Sequence, residues 1–350
     1  MGKNLPKISF CITCMNRLEH IKRTLSVNIF HALADSDNVE FILIDYNSTD
    51  GLELWVKGNM MQHINEQTFV YFRTTQYNSY HRSHSRNMVF RLASGDILVN
   101  LDADNFIGKG FVNFILENIT QSYFLAVDET INGKRFKDAL GRICVWRDDF
   151  EKISGYDETM AGYGFEDLDL KTRLKQIGLK LKPIKNSRFL KSIKHDNSLR
   201  IENEGISKNL YCVTVEHLEP FKSNICMFYN DNSYEKATII DNIFRGNNSE
   251  KIEVINELDQ MVLTEYFSGK WTKTQNSIHF EDQLLSESDE SLDWFYPYDF
   301  KIIQELIYSF SAIKNKRKYF DNIKNSGAGI NSNGFGHGEV IKNFKEKIIL

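Results

Sequence analysis

Proline is scarce in this sequence, and neither sign of charge dominates. The 350 residues include 4 prolines, and the net charge is −4. Dedicated nucleic-acid binders usually carry a basic excess, so this balance argues against a nucleic-acid partner. The low proline content, together with 25 Phe and 15 Tyr, favours a folded chain over a disordered one.

Long apolar runs are also missing. No run approaches the length of about 18 residues that a membrane-spanning helix needs. The first residues lack the apolar region of a signal peptide, and Pro6 stands where a myristoylation motif requires Ser or Thr. We therefore expect a cytoplasmic protein, and peripheral contact with the inner face of a membrane stays open.

The five cysteines show no disulfide-framework spacing, which favours a reducing compartment. Cys11 and Cys14 form a CxxC pair. A zinc site would need a second pair, and a redox pair should open a helix, whereas Cys11 lies within an apolar run. We expect both cysteines to be structural.

The chain also lacks the glycine-rich phosphate loops of common nucleotide-binding folds. The segment after the first apolar run, from Thr13 to Arg17, contains no glycine, which excludes a Rossmann fingerprint and a P-loop. A nucleotide would have to be held by side chains. Asp45, after the second apolar run, could accept hydrogen bonds from a base or ribose. The alternative is that Asp45 only caps a turn.

Short apolar runs alternate with helical patterns in the first hundred residues. The runs Ile8–Thr13, Val39–Ile44, Phe69–Phe72 and Ile97–Leu101 read as buried strands. This alternation predicts an α/β fold with successive βαβ units and a mostly parallel sheet flanked by helices. In such sheets ligands gather at the carboxyl ends of the strands.

Two carboxylates, Asp102 and Asp104, follow the fourth run directly. Hard oxygen ligands at the end of a buried strand suit Mg²⁺ or Mn²⁺ held against a phosphate. The alternative is that both acids solvate a turn and cap the next helix.

A second acidic segment follows the glycines and aromatics of residues 162–165. Glu166 and Asp167 begin a helical pattern, so they occupy a helix N-terminus. One interpretation is simple complementarity with the helix dipole. The other is a catalytic base beside a ring that stacks on a sugar, which the glycine-rich aromatic loop favours.

The order of these motifs, with Ser85-Arg86-Asn87 between them, resembles the nucleotide-sugar-dependent glycosyltransferases of family 2, which have the GT-A fold. The segment from Gly141 to Leu181 resembles a galactosyltransferase region shared by animal β-1,4-galactosyltransferases and bacterial chondroitin-type polymerases. The resemblance covers about residues 7 to 200.

The resemblance implies roles for two groups of residues. On the donor side, Asp45 would contact uracil or ribose, and the nucleotide-sugar site would also include the residues Thr13, Arg17, Arg86, Asn87 and Asp102. Asp102 and Asp104 would form the DxD motif that binds Mn²⁺ or Mg²⁺, with Asp104 the more direct ligand and His195 completing the metal shell.

On the acceptor side, the resemblance implies that Asp167 is the catalytic base and that Glu166 orients the acceptor. Tyr163 and Gly164 would contact the acceptor, although Tyr163 stands where the family usually has tryptophan. Tyr46 replaces the second acid of the usual pair after the second strand, which weakens the assignment of Asp45.

After residue 215 the family motifs stop. We expect a glycosyltransferase domain over residues 1–215 and a mainly helical accessory region over residues 216–350 for acceptor binding or oligomerisation. Apolar spacing predicts helices near residues 239–244, 252–262 and 302–310, a hairpin near 266–275 and a glycine-rich loop over 327–338.

The predicted function is metal-dependent, inverting transfer of a sugar from a UDP-sugar of the Gal, GalNAc or GlcNAc type. The acceptor would be a hydroxyl of a glycan or lipid-linked glycan in bacterial surface polysaccharide synthesis. Two alternatives stay open: a non-catalytic nucleotide-sugar or glycan-binding protein of the same fold, and a sugar nucleotidyltransferase. The basic excess from Lys171 to Lys194 fits an anionic acceptor, a membrane surface or an ordinary solvated face.

Overall fold

The structure is a computed structural model that describes residues 5–127, 130–131, 134–135, 137–219, 222–240, 262–286 and 294–350. The chain divides into two compact units. The first consists of Met1–Ala161, Phe165–His195 and Tyr319–Leu350, and the second of Gly162–Gly164 and Asp196–Lys318. The division differs from the predicted boundary at residue 215, because the last 32 residues return to the first unit.

The first unit is an α/β structure built on one mixed sheet. Its strands are β1 (Ile8–Cys14), β2 (Val39–Tyr46), β3 (Phe69–Thr74), β4 (Ile97–Asn100), β5 (Asn105–Phe106), β6 (Tyr123–Ala126), β7 (Thr130–Ile131), β8 (Lys134–Arg135), β9 (Ile143–Trp146), β10 (Lys180–Pro183) and β11 (Lys191–Ser192). Its helices are α1 (Leu18–Leu33), α2 (Leu52–Asn59), α3 (Met61–Asn65), α4 (Arg82–Leu92), α5 (Phe111–Asn118), α6 (Arg147–Lys152) and α7 (Glu166–Gln176).

In the part of the chain that the structure describes, the second unit contains two short helices and a seven-stranded sheet. The helices are α8 (Asn197–Ile201) and α9 (Gly205–Asn209), and the strands are β12 (Leu210–Glu219), β13 (Lys222–Tyr229), β14 (Ser233–Ile240), β15 (Val262–Thr274), β16 (Ser277–Phe280), β17 (Gln283–Ser286) and β18 (Trp294–Phe295). Helix α10 (Phe300–Lys324) follows, and β19 (Glu339–Lys342) and β20 (Glu346–Ile349) close the chain in the first unit.

The central sheet of the first unit has the order β10-β6-β9-β4-β1-β2-β3-β19-β20. Only β9 and β19 run against the other strands, which confirms the mostly parallel sheet. All residues of β1, β2 and β4 are buried, as their continuous apolar runs predict for strands covered on both faces. The carboxyl ends of these strands lie at one edge, where the candidate site residues follow.

The C-terminal strands were not predicted. β19 pairs antiparallel with β3 through Ile341 and Arg73, and the Asn343 side chain accepts a hydrogen bond from the Tyr71 backbone at 3.0 Å. The glycine-rich stretch before β19 forms turns, as expected of a loop. The end of the chain therefore belongs to the central sheet of the first unit.

The expectation that the C-terminal region is mainly helical is wrong for the residues that the structure describes. The second unit is dominated by an antiparallel sheet of order β17-β16-β15-β14-β13-β12-β18. Ile225 and Met227 of β13 lie in one apolar cluster and Cys226 and Phe228 in another, so this strand is buried on both faces. The helix near residue 302 is confirmed, whereas residues 266–274 of the predicted hairpin belong to the single strand β15, which pairs with β16 beyond residue 275.

The helices predicted near residues 239–244 and 252–262 are not confirmed. Residues 239 and 240 belong to strand β14, and most of the predicted helix over 252–262 lies outside the described residues. All five cysteines are free. Cys11 and Cys14 are buried, and burial raises the pKa of both thiols, which fits the structural role expected of the CxxC pair.

Candidate active site

One arginine forms hydrogen bonds with three of the predicted acidic residues. Arg86 lies on α4 and is 2% exposed. Its Nη1 donates to Asp167 Oδ1 at 2.8 Å and to Glu166 Oε1 at 3.2 Å, and its Nη2 donates to Asp102 Oδ1 at 3.2 Å. Two acidic motifs that are far apart in sequence therefore meet on a single buried cation.

The start of α7 explains how two adjacent acids face the same arginine. Phe165, the residue before the helix, has φ of 68°, which is the left-handed conformation that few side chains adopt. Glu166 and Asp167 then occupy the first turn of α7, where the helix dipole stabilises negative charge. The sharp turn and the dipole together hold both carboxylates at Arg86.

Tyr156 contacts both Arg86 and Asp167 in the same cluster. Its ring lies 5.2 Å from the Arg86 guanidinium, and its hydroxyl donates to Asp167 Oδ1 at 3.4 Å. The Asn87 side chain fixes the Tyr156 backbone by donating to its carbonyl and accepting from its N–H, both at 2.8 Å. Asn87 is 0% exposed and also donates to Glu158, so the structure places it as a support and not as a wall of the donor site.

The surroundings of Asp167 suit a general base. Burial raises the pKa of Asp167 to about 6, because desolvation outweighs the lowering by Arg86, and Glu166 and Asp102 add to the rise. The Asp167 side chain is still 19% exposed, so a small molecule can reach it. A base works best when its pKa lies near the working pH.

Gly141 leaves open space next to this cluster, and sequence reasoning gave it no role. A methyl carbon at Gly141 would lie 3.0 Å from Asp102 Oδ2 and 3.1 Å from both Asp167 Oδ2 and Arg86 Nη2. The Oδ2 atoms of Asp102 and Asp167 therefore both lie next to Gly141. Only glycine keeps that space free.

Asp104 has a different partner from Asp102. Its Oδ2 lies 3.0 Å from His195 Nε2, and the two side chains are 13% and 15% exposed. The short β5–β11 ladder joins the segments, and Ile193 N–H donates to the Asp104 carbonyl at 2.9 Å. Burial raises the pKa of Asp104, but the hydrogen bonds from His195 and Asn105 outweigh it and hold the pKa below its usual value.

A buried arginine without a carboxylate partner orients Asp104 indirectly. Arg142 is 1% exposed, and its Nη2 donates to Asn105 Oδ1 at 2.8 Å. An arginine can only donate, so Asn105 must turn its NH₂ away, where it donates to Asp104 Oδ1 at 2.8 Å. Arg142 was not among the predicted site residues, because no motif surrounds it.

The donor set at Asp104 fits a divalent metal that a ligand also helps to hold. No group of three or more His, Cys, Asp or Glu side chains that could bind a metal was found in the described part of the chain. Asp104 and His195 supply one oxygen and one nitrogen, and Mg²⁺-type sites are often completed by substrate phosphates. Asp102, also predicted as a metal ligand, accepts a hydrogen bond from Arg86 through Oδ1.

The predicted nucleotide-binding residues are less accessible. Asp45 is 0% exposed and accepts hydrogen bonds from Tyr71 Oη at 2.6 Å and Ser48 N–H at 2.7 Å. Burial raises its pKa despite these bonds. In this geometry Asp45 holds the turn after β2 and presents no oxygen to a base, which is the alternative interpretation from the sequence.

The other two predicted donor contacts lie at the ends of β1 and α1. Thr13 Oγ1 is hydrogen-bonded to Tyr80 Oη at 2.6 Å, and Arg17 Nη1 donates to the Asn16 carbonyl at 3.0 Å. Tyr46 stacks on Tyr77 with 4.8 Å between ring centroids. The aromatic ring of Tyr46 thus stacks on a second ring at the position where the family usually has its second acid.

The predicted acceptor residues belong to the second unit. The Tyr163 ring lies 4.6 Å from the Tyr308 ring, and its hydroxyl accepts from Arg200 at 3.1 Å. The Gly164 carbonyl accepts from Asn315 at 2.9 Å. These contacts fix the loop to helix α10 within that unit.

The sequence profiles of two known protein families match parts of this chain that contain the motifs described above. Residues 9–161 match the sequence profile described as glycosyl transferase family 2. Residues 134–196 match the profile described as the N-terminal domain of galactosyltransferase, a range that contains the Gly141–Leu181 segment. Together the two matches span just over half of the chain. No curated protein sequence matches the chain significantly.

Solved structures with a similar arrangement are distant in sequence. The mannosyltransferase PcManGT from Pyrobaculum calidifontis, in complex with GDP-Man and Mn²⁺, is 18% identical over 52% of this chain and 56% of its own, with a TM-score of 0.43. TarS residues 1–349 from S. aureus are 17% identical over 51% and 58%, with a TM-score of 0.40. Drosophila β1,4-galactosyltransferase 7, with manganese, UDP-Gal and xylobiose, is 14% identical over 55% and 73%, with a TM-score of 0.40.

Proposed function

Because this chain belongs, through residues 9–161, to glycosyl transferase family 2, we propose that it is an inverting, metal-dependent enzyme acting on a UDP-sugar. The galactosyltransferase match favours a donor of the Gal, GalNAc or GlcNAc type. The observation that carries the proposal is Asp167: a carboxylate with a pKa of about 6, held by Arg86 and still partly exposed.

On the acceptor side, Asp167 takes the proton of the attacking hydroxyl while the new C–O bond forms at the anomeric carbon. The bond from that carbon to the diphosphate oxygen breaks, and the transition state resembles an oxocarbenium ion. A base on the face opposite the leaving group gives inversion. Glu166 shares Arg86 with Asp167 and is assigned to orienting the acceptor, with Tyr163 and Gly164 as further acceptor contacts.

On the donor side, Asp104 and His195 would hold Mn²⁺ or Mg²⁺. When bound, such an ion acts as a Lewis acid that stabilises charge on the leaving diphosphate. Asn105 donates to one oxygen of Asp104 and leaves the other directed at His195. Asp102 holds Arg86 in place, and Thr13 and Arg17 remain the proposed contacts for the nucleotide.

The wider setting rests on sequence resemblance. We assign the enzyme to the cytoplasm and to bacterial surface polysaccharide synthesis, with a glycan or lipid-linked glycan as acceptor. Among the described helices, none is long and apolar enough to cross a bilayer. Flotation with anionic vesicles tests peripheral binding at the inner membrane face.

The test is donor hydrolysis with a panel of UDP-sugars, with and without Mn²⁺. Asp167→Asn removes the base and keeps the shape, so we expect turnover to fall by about 10² or more while UDP binding, measured by calorimetry, stays unchanged. Asp148→Asn, an exposed acid on α6, is the control. Full turnover in the Asp167 variant excludes its role as base. Absence of hydrolysis by the wild-type protein with every donor favours the non-catalytic alternative.

A further inference from the structure

The first unit contains a cavity that the proposed reaction does not use. It has a volume of about 690 Å³ and lies between helix α5 and the segment that follows β10. Its polar lining includes three cations, Lys182, Lys185 and Arg188, and one acid, Glu117. The cavity therefore carries a net positive charge.

The three cations have no carboxylate partners among the residues that the structure describes. The Arg188 guanidinium lies 4.9 Å from the Phe189 ring, and its backbone N–H donates to Asn186. Lys182 and Lys185 form no ion pair with a described residue. Cations that line a concave surface without carboxylate partners attract anionic ligands.

The cavity adjoins the Asp104–His195 pair through one small ladder. β5 and β11 pair antiparallel, with Asp104 and His195 beside one end. Past the other end, Gly108 lies so close to the Arg188 carbonyl that a methyl carbon would be 2.5 Å from that oxygen, and Gly110 lines the cavity. Gly108 is four positions after Asp104, a span of at most roughly 13 Å at about 3.3 Å per residue.

We propose that this cavity, named here the basic cavity and lined by Lys182, Lys185 and Arg188, binds a carboxylate-bearing segment of the saccharide acceptor. The inference rests on the proposed function, since it takes the acceptor to be a glycan. A saccharide of a few residues held there would extend along the β5–β11 ladder, whose other end carries the Asp104–His195 pair of the proposed metal site. Partly exposed Phe114 gives a sugar ring an apolar wall to pack on, and Asn113 and Asn118 offer amides to its hydroxyls.

A membrane surface fits the basic cavity less well. Bilayer-binding faces combine basic residues with protruding apolar anchors. The large apolar side chains that are strongly exposed in the described structure include none between Met61 and Tyr211, a stretch that contains the whole cavity. A concave, amide-lined site without apolar anchors suits a hydrated anionic glycan.

The test is calorimetry with a hexuronate-containing oligosaccharide, its carboxyl-reduced neutral counterpart, inorganic phosphate, and vesicles of phosphatidylcholine and phosphatidylglycerol. The triple variant Lys182→Gln/Lys185→Gln/Arg188→Gln should weaken binding of the acidic oligosaccharide about tenfold or more. The control Lys152→Gln/Lys175→Gln/Lys180→Gln removes the same charge at exposed positions outside the cavity. It should leave that affinity within about twofold.

Four outcomes overturn the proposal. They are equal loss in both triple variants, equal binding of the neutral oligosaccharide, binding of phosphate without any oligosaccharide, and a loss confined to vesicles. Donor hydrolysis without acceptor should be unchanged in the cavity variant. If the wild-type protein hydrolyses no donor, the proposed function fails by itself, while the binding comparison still decides on the cavity.

Discussion

Asp102 and Asp104 lie two residues apart after the same strand, yet their surroundings differ. Asp102 is bound to the permanent cation Arg86 together with Glu166 and Asp167. Asp104 is bound to His195, which can lose its proton and bind a metal, and to a neutral amide. The Arg86 cluster thus has its counter-charge built in, whereas the Asp104–His195 pair is the proposed site for a metal ion.

The largest effect should come from removing the built-in counter-charge. Arg86→Met leaves Glu166, Asp167 and Asp102 close together without their cation, and removing one partner of buried ion pairs costs about 3–5 kcal/mol. Urea unfolding should show a loss of that size in the free energy of unfolding. Arg23→Met, at an exposed position of α1, is the control and should change it by less than about 0.5 kcal/mol.

The same experiment at low pH sharpens the comparison. Protonating the acids removes their repulsion, so part of the lost stability should return as the pH falls through the raised pKa of Asp167, about 6 in the wild-type protein. A variant as stable as the control at every pH would show that Arg86 does not hold the acids together.

The fold around this cluster was readable because its strands are short, apolar and fully buried. The predicted runs Val39–Ile44 and Ile97–Leu101 are visible as mostly apolar segments, and the acids follow where these strands end. The contact between Arg86 and Asp167 was harder to predict from the sequence, because only the family resemblance links these residues, which are 81 positions apart. Arg142 could not be found, since a buried arginine that donates to an amide has no sequence signature.

The C-terminal half was misread for a physical reason. β19 and β20 are four residues each and partly charged, and they become strands because β3 offers an unpaired edge far away in sequence. In the second unit, strands with both faces buried lose the alternation that distinguishes a strand from a helix. In such segments pairing with distant strands determines the secondary structure, and the local spacing of apolar residues does not.

An intermediate effect is expected on the metal side. Arg142→Lys keeps the charge but loses the two-pronged geometry that fixes the Asn105 amide, so Asp104 is held less firmly. Partners behind a metal ligand typically contribute 10- to 100-fold to affinity, and we expect Mn²⁺ to bind about tenfold more weakly in the presence of UDP. Electron paramagnetic resonance of free Mn²⁺ measures this directly.

Arg23→Lys is the matched control for the metal measurement, and the Arg86 cluster should keep its behaviour in the Arg142 variant. The acid limb of the kcat/KM profile, measured at saturating Mn²⁺, should therefore stay in place. Equal Mn²⁺ affinity in the Arg142 and control variants would remove Arg142 from the support of Asp104.

The smallest effect should come from Tyr156→Phe, which removes one hydroxyl and keeps the ring under Arg86. Asp167, as the proposed base, would act when deprotonated, so we expect activity to be lost as the pH falls through its pKa of about 6. The Tyr156 hydroxyl donates to the charged carboxylate at 3.4 Å and stabilises it. Without this bond the pKa rises, and the acid limb of kcat/KM should move to higher pH by less than about one unit. A limb that moves to lower pH would show that the hydroxyl favours the protonated acid, and an unchanged limb would confine Tyr156 to packing.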